Sequence, residues 1–156
     1  MRRLGIVAGI ALVLAVALPV AAGGNPGTVS QTQTWHGLSE VVTDVNPCTG
    51  NTVTIYLTSN GVMHLTFFSN GDEYWFTLTD TSDFTFTDAG VTYTGHGTFW
   101  VNGNWNERNQ NFTLTFDAQG RGSDGSHISL SEKAHLTLNA VGAVTVSFDV
   151  IGASCR

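Results

Sequence analysis

The chain has 156 residues, 42% of them hydrophobic and 10% aromatic with only 3 Pro, which suffices for the core of one domain and is too apolar for global disorder. Six basic against 12 acidic residues give a formal charge of -6, and two of the basic ones, Arg2 and Arg3, fall in a segment expected to be removed. This sign excludes nucleic acid and anionic lipid as main partners, because both require a basic footprint.

Met1, Arg2 and Arg3 precede an apolar run from Leu4 to Leu18, then Pro19 and the small residues Ala21, Ala22, Gly23 and Gly24. That is the layout of a cleavable secretory signal, assigned to residues 1–23, with an uncleaved membrane anchor as the alternative. Residues 24–33 are polar, carry Pro26 and Gly27, and read as a flexible leader. Residues 34–156 form a single domain, and the expected localisation is secreted, with no stable membrane span after cleavage. Two cysteines, Cys48 and Cys155, remain in the exported part, an even count that predicts one disulfide outside the cytoplasm.

From Thr34 onward the period is two, with Thr, Val, Phe and Tyr at high density and no helix-period segment. Val53, Ile55 and Leu57 alternate with Thr52, Thr54 and Tyr56 up to Asn60-Gly61, a pair suited to a type I′ hairpin turn. Met63, Leu65 and Phe67 lead to a second such pair, Asn70-Gly71, and Tyr74, Phe76 and Leu78 continue the apolar face. A bulge or turn is expected at Thr81-Ser82-Asp83, and a turn at Asp88-Ala89-Gly90. Val91, Tyr93, Gly95, Gly97, Phe99 and Val101 share one face, where the paired glycines mark bending or close backbone approach. The Asn-rich stretch from Asn102 to Asn109 reads as a loop. Phe112 to Phe116, Ile128 to Leu138 and Val144 to Val150 supply the remaining strands.

Hairpin-linked strands predict an all-β antiparallel meander closing into a small barrel of eight or nine strands, with a β-sandwich as the alternative. The disulfide adds a parity condition. In an alternating meander, a residue after the first strand and one after the last share a pole only if the strand number is odd.

Strand parity also sorts the polar residues. His64, His96, His127 and His135 fall on the Thr-rich face without close metal-ligand spacing, so neither a metal nor a cofactor is expected. Glu132 falls with Leu130, Ala134 and Leu136 on the apolar face, where a carboxylate must pair with Arg108 or Arg121, become protonated, or be released by a bulge. It is the one candidate for acid–base catalysis, although catalysis is not the leading expectation. Trp75, Trp100 and Tyr56 share the Thr-rich face, and Trp105 lies in the Asn-rich loop. Exposed aromatics beside Asn and Thr can hold a sugar ring by stacking and hydrogen bonds.

The stretch Val45-Asn46-Pro47-Cys48-Thr49-Gly50, with Tyr93-Thr94-Gly95, Arg108-Asn109-Gln110, Gly122-Ser123-Asp124-Gly125-Ser126, Glu132-x-Ala134-His135 and Cys155-Arg156, resembles small secreted β-proteins of actinobacteria. The resemblance spans most of the mature chain and implies export and a Cys48–Cys155 pair, but it carries no activity. Ser131 departs from it, standing where that group often has His, which weakens a metal site further. The leading expectation is a barrel binding an apolar or amphipathic small molecule in its interior or mouth, without catalysis. The alternatives are a cofactor-independent enzyme using Glu132, or a surface module recognising glycan or protein through Trp75, Trp100 and Trp105. The sequence leaves the oligomeric state open.

Overall fold

The computed structural model describes residues 27–68 and 73–156. They form seven long strands: β1 (Val29–Val45), β2 (Thr52–Phe67), β3 (Tyr74–Asp88), β4 (Val91–Trp105), β5 (Asn109–Gly122), β6 (His127–Asn139) and β7 (Val144–Cys155). Each pairs antiparallel with its sequence neighbours in the order β1-β2-β3-β4-β5-β6-β7. The all-β antiparallel meander expected from the sequence is present. The barrel is not: β1 and β7 do not pair with each other, so the sheet keeps two free margins and is not closed into a barrel. The signal segment and the Asn70-Gly71 turn lie outside the described residues, and β1 begins at Val29, within the stretch read as a leader.

The strand count falls below eight because two expected breaks are strand interior. Asn60-Gly61 pairs through, with Gly61 opposite Trp35 on one side and Asp80 on the other. Gly61 keeps an ordinary extended backbone, so its role is not a positive φ. A Cβ there would overlap the Trp35 ring and approach the Thr79 carbonyl, so the missing side chain is a seat for an indole. Thr81-Ser82-Asp83 likewise runs unbroken through β3. The Asn-rich loop shrinks to residues 106–108, because β4 continues to Trp105. The Asp88-Ala89-Gly90 turn is real: Ala89 at φ 49° and Gly90 at φ 86° give the two positive φ angles of a two-residue hairpin.

Alternation gives the sheet an apolar and a polar face. Two clusters make the core on the apolar face: Val53, Phe86 and Ile128 near one pole, and Met63, Leu78 and Val101 towards the other. Aromatic rings extend these clusters by lying across glycines of neighbouring strands. A Cβ on Gly95 or on Gly120 would strike the Phe84 ring, and one on Gly103 would strike Phe76. The close approach inferred for the β4 glycines is therefore seen at Gly95, whereas Gly97 has ordinary space.

Cys48, in the β1–β2 loop, is bonded to Cys155 at the end of β7, with Cα atoms 5.9 Å apart. Seven is odd, so both sulfurs reach the same pole as parity requires. The sheet thus stays open along its margins while one pole is tied covalently.

Candidate functional site

Three groups of polar side chains stand out, and they differ in what they can do. The first is at the tied pole, where buried Asp88 ends β3. Its Oδ2 accepts from Asn46 Nδ2 at 2.6 Å and Thr49 Oγ1 at 2.5 Å, and its Oδ1 accepts from Asn51 Nδ2 at 2.8 Å. Asn46 Oδ1 in turn accepts from the Cys48 amide. The hydrogen bonds from Thr49 and then Asn51 hold the Asp88 carboxyl below the ordinary carboxylate value. Asp88 is thus a clamp that fixes the Asn46–Asn51 loop and presents Cys48 to Cys155. Sequence reasoning saw it only as a turn residue, because its donors lie 37 to 42 positions away.

The second group is on the apolar face. Glu132 stands there as parity requires, in unbroken register between Phe116 and Ile151, so no bulge releases it. Neither expected arginine lies beside it: Arg108 is in the β4–β5 loop, and Arg121 projects from the other face opposite His127. Burial raises the Glu132 pKa, and the negative charges of Asp149 and Asp44 raise it further. His64, His96, His127 and His135 all project from the polar face, so none is available to Glu132 as a proton partner. Asp80, on the same face, has its pKa raised by burial against the opposing hydrogen bonds of Trp35 and Ser59. Trp35 Nε1 donates to Asp80 Oδ2 at 2.8 Å and to Ser59 Oγ at 3.2 Å, which makes this indole a structural tie. Among the described residues, no group of three or more His, Cys, Asp or Glu is placed to hold a metal ion.

The third group is the polar face of β3 to β6, built of cross-strand rows. One row runs Trp75, Asn104, Asn111, Thr137; the next runs Thr77, Asn102, Thr113, His135; the third runs Thr79, Trp100, Thr115, Lys133. Trp75 on β3 and Trp100 on β4 thus stand two rows apart with Thr77 and Asn102 between them. Strand geometry puts their Cα atoms about 14 Å apart. Their side chains are 51% and 39% exposed. Trp75 is held in orientation by an edge-on contact with Phe68, ring centres 5.2 Å apart, and by donating Nε1–H to Glu73 Oε1 at 3.0 Å.

Beside the two indoles the polar groups are linked. Thr113 Oγ1 bonds His135 Nδ1 at 2.8 Å, and His135 Nε2 bonds Thr137 Oγ1 at 3.1 Å. Thr137 donates to Asn111 Oδ1 at 2.8 Å, and Asn111 Nδ2 donates to Asn104 Oδ1 at 2.9 Å. The chain of bonds fixes which amide and hydroxyl atoms face outward.

The structure divides the other aromatic candidates. Tyr56 is exposed on the same face but lies at the Thr85 level of β2, far along the strand from Trp100. Trp105 belongs to the opposite face, where its ring stacks on Tyr74 with centroids 5.9 Å apart. No barrel interior exists to receive an apolar molecule, and this overturns the expected mode of ligand binding. The groove lined by Gln119, His127, Ile128, Ser129, Ser154 and Arg156, about 490 Å³, lies open to solvent at the sheet margin. Among the described residues, no helix is long and apolar enough to cross a membrane.

Comparison with family models, with curated proteins and with solved structures finds no match to this chain. The functional reading therefore rests on the geometry of its own surfaces.

Proposed function

We propose that the protein is an exported recognition module that holds a glycan chain against its polar face, between Trp75 and Trp100. The observation carrying this reading is the pair of indoles standing exposed on one open face, separated by Thr77 and Asn102. Sugar rings offer C–H faces that stack on indoles and hydroxyls that exchange hydrogen bonds with amides and side-chain hydroxyls, and this surface supplies both kinds of partner. An open face fits an extended chain, whereas a small apolar molecule requires an enclosing pocket. The apparent export signal and the disulfide support a working place outside the cytoplasm, where polysaccharides are met. Asp88 and the disulfide are the scaffold in this account, and Glu132 has no part in binding.

A glycan array with affinity electrophoresis against soluble polysaccharides tests the proposal. The expected result is retention by at least one neutral polysaccharide, weakened about tenfold by Trp75→Ala and by Trp100→Ala, the loss of roughly 1.4 kcal/mol each. Trp105→Ala is expected to leave retention unchanged. Binding that survives the double variant Trp75→Ala/Trp100→Ala would refute the reading.

A further inference from the structure

The two margins of the sheet are built differently. An unpaired strand edge is a template for another strand, and proteins protect such edges with bulges, prolines, lysines or inward charges. β1 carries such devices: its register shifts between Trp35 and Leu38, Gly37 takes φ 64°, and Glu40 and Asp44 stand on its apolar side. β7 has one such device, a register shift that leaves Thr145 as an extra residue near its start, and lacks them beyond it. From Val146 to Cys155 it pairs with β6 without a shift, contains no Pro, Lys or Arg, and has Asp149 as its only charge. All twelve of its residues are exposed. On its polar-face side Val146, Phe148 and Val150 form an apolar stripe, opposite Thr137, His135 and Lys133 of β6.

That stripe reads the same in both directions. When a strand pairs antiparallel with its own copy about a two-fold axis at Phe148, Phe148 meets Phe148, Val146 meets Val150 and Ser147 meets Asp149. No like charges are then opposed. Aromatic and β-branched cross-strand pairs of this kind are the stabilising unit of a sheet. The regular pairing covers residues 146 to 150, between the irregularity at Thr145 and the Cys155 end, beside which the bonded Cys48 loop sits. It adds about four to six main-chain hydrogen bonds, at the lower end for an ordinary specific interface. The competing head-to-tail arrangement would lay β7 on β1 of a second copy, where the β1 bulge between Trp35 and Leu38 breaks the register in the middle of the strand. We infer that β7 is a homodimerisation edge that joins two copies, β7 to β7, into one fourteen-stranded antiparallel sheet.

Sedimentation velocity on the secreted, disulfide-intact protein across a micromolar to submillimolar series tests this inference. The wild type is expected to pass from monomer to a discrete dimer. The double variant Val146→Lys/Val150→Lys opposes like charges twice across the axis and is expected to raise the dimer dissociation constant more than tenfold. Val146→Lys/Val150→Glu opposes unlike charges twice and is expected to restore dimers, a rescue that a general loss of folding could not give. A wild type that stays monomeric throughout, or that grows into longer polymers, overturns the inference. So does a dimer indifferent to the paired lysines, or a Lys/Glu variant that fails to recover.

Discussion

The two faces of this sheet use similar residues for opposite ends. On the apolar face, indole and phenyl rings are consumed by structure: Trp35 over Gly61, Phe76 over Gly103, and Phe84 over Gly95 and Gly120. On the polar face, Trp75 and Trp100 stand above Thr and Asn with nothing like that cover. Charge is divided in the same way. Glu40, Asp44, Asp80, Asp88, Glu132 and Asp149 belong to the apolar face with no strand cation beside them, while Arg121, Lys133, Arg156 and four histidines project from the other together with Asp83 and Asp117. An aromatic residue in such a sheet is structural when a glycine lies beneath it and available when its row is polar. Residue type alone does not distinguish the two cases.

Changes that break the apolar side or its covalent tie are therefore expected to unfold the protein, and changes on the polar side to spare stability and remove binding. The largest effect is expected at the tie. Replacing Cys48 and Cys155 with Ala frees a loop spanning 107 positions and is expected to cost about 4–5 kcal/mol in urea unfolding; a loss under 1 kcal/mol would show that the margins hold together without it. Next comes Gly95→Val, which drives a side chain into the Gln119 carbonyl and the Phe84 ring and is expected to cost about 3 kcal/mol. Thr94→Val, one residue away on the polar face, should stay within about 0.5 kcal/mol of wild type.

Asp88 gives the pH test. Its carboxyl pKa is lowered in the fold, so the stabilisation is complete above the ordinary value of 3.8 and is lost as pH falls below it through the folded-state value. Asp88→Asn is expected to lower the melting temperature at neutral pH and to flatten the acid limb of the stability curve. An unchanged acid limb would remove Asp88 from the account. Glu132 carries the opposite sign and the smallest effect. Its raised pKa means that the neutral form suits the fold, so its contribution is favourable below the unfolded value and declines as pH rises through the folded one. Glu132→Gln is expected to raise the melting temperature by about 1–3 °C at pH 7 and to have no effect in acid, read by scanning calorimetry at both pH values. A destabilised variant at pH 7 would mean that the carboxylate has a partner.

Much of this architecture was legible in the residues. Period-two alternation marked the strand segments from Thr52 onward, though it cut β2 in two at Asn60-Gly61, and it assigned Glu132, Trp75 and Trp100 to their faces, while cysteine counting paired Cys48 with Cys155. Asn60-Gly61 misled because glycine answers two different needs, positive φ and an empty Cβ position, and sequence order does not show that Trp35 would fill the second. Closure into a barrel was inferred from the liability of free edges, but nothing in local sequence specifies whether the first strand meets the last. Trp105 was placed in a loop because its Asn neighbours are turn formers, yet long cross-strand pairing with Gln110 and Tyr74 carried β4 through them. Asp88 was invisible as a clamp because its three donors come from the β1–β2 loop, brought to it only by folding.

The division between apolar-face and polar-face indoles is tested most directly by the four indole N–H resonances of the 15N-labelled protein, titrated with an oligosaccharide fragment of the polysaccharide it retains. The account predicts that the Trp75 and Trp100 signals move together along one binding isotherm while those of Trp35 and Trp105 stay fixed. Movement of Trp105 with Trp75 and Trp100 unmoved would contradict it.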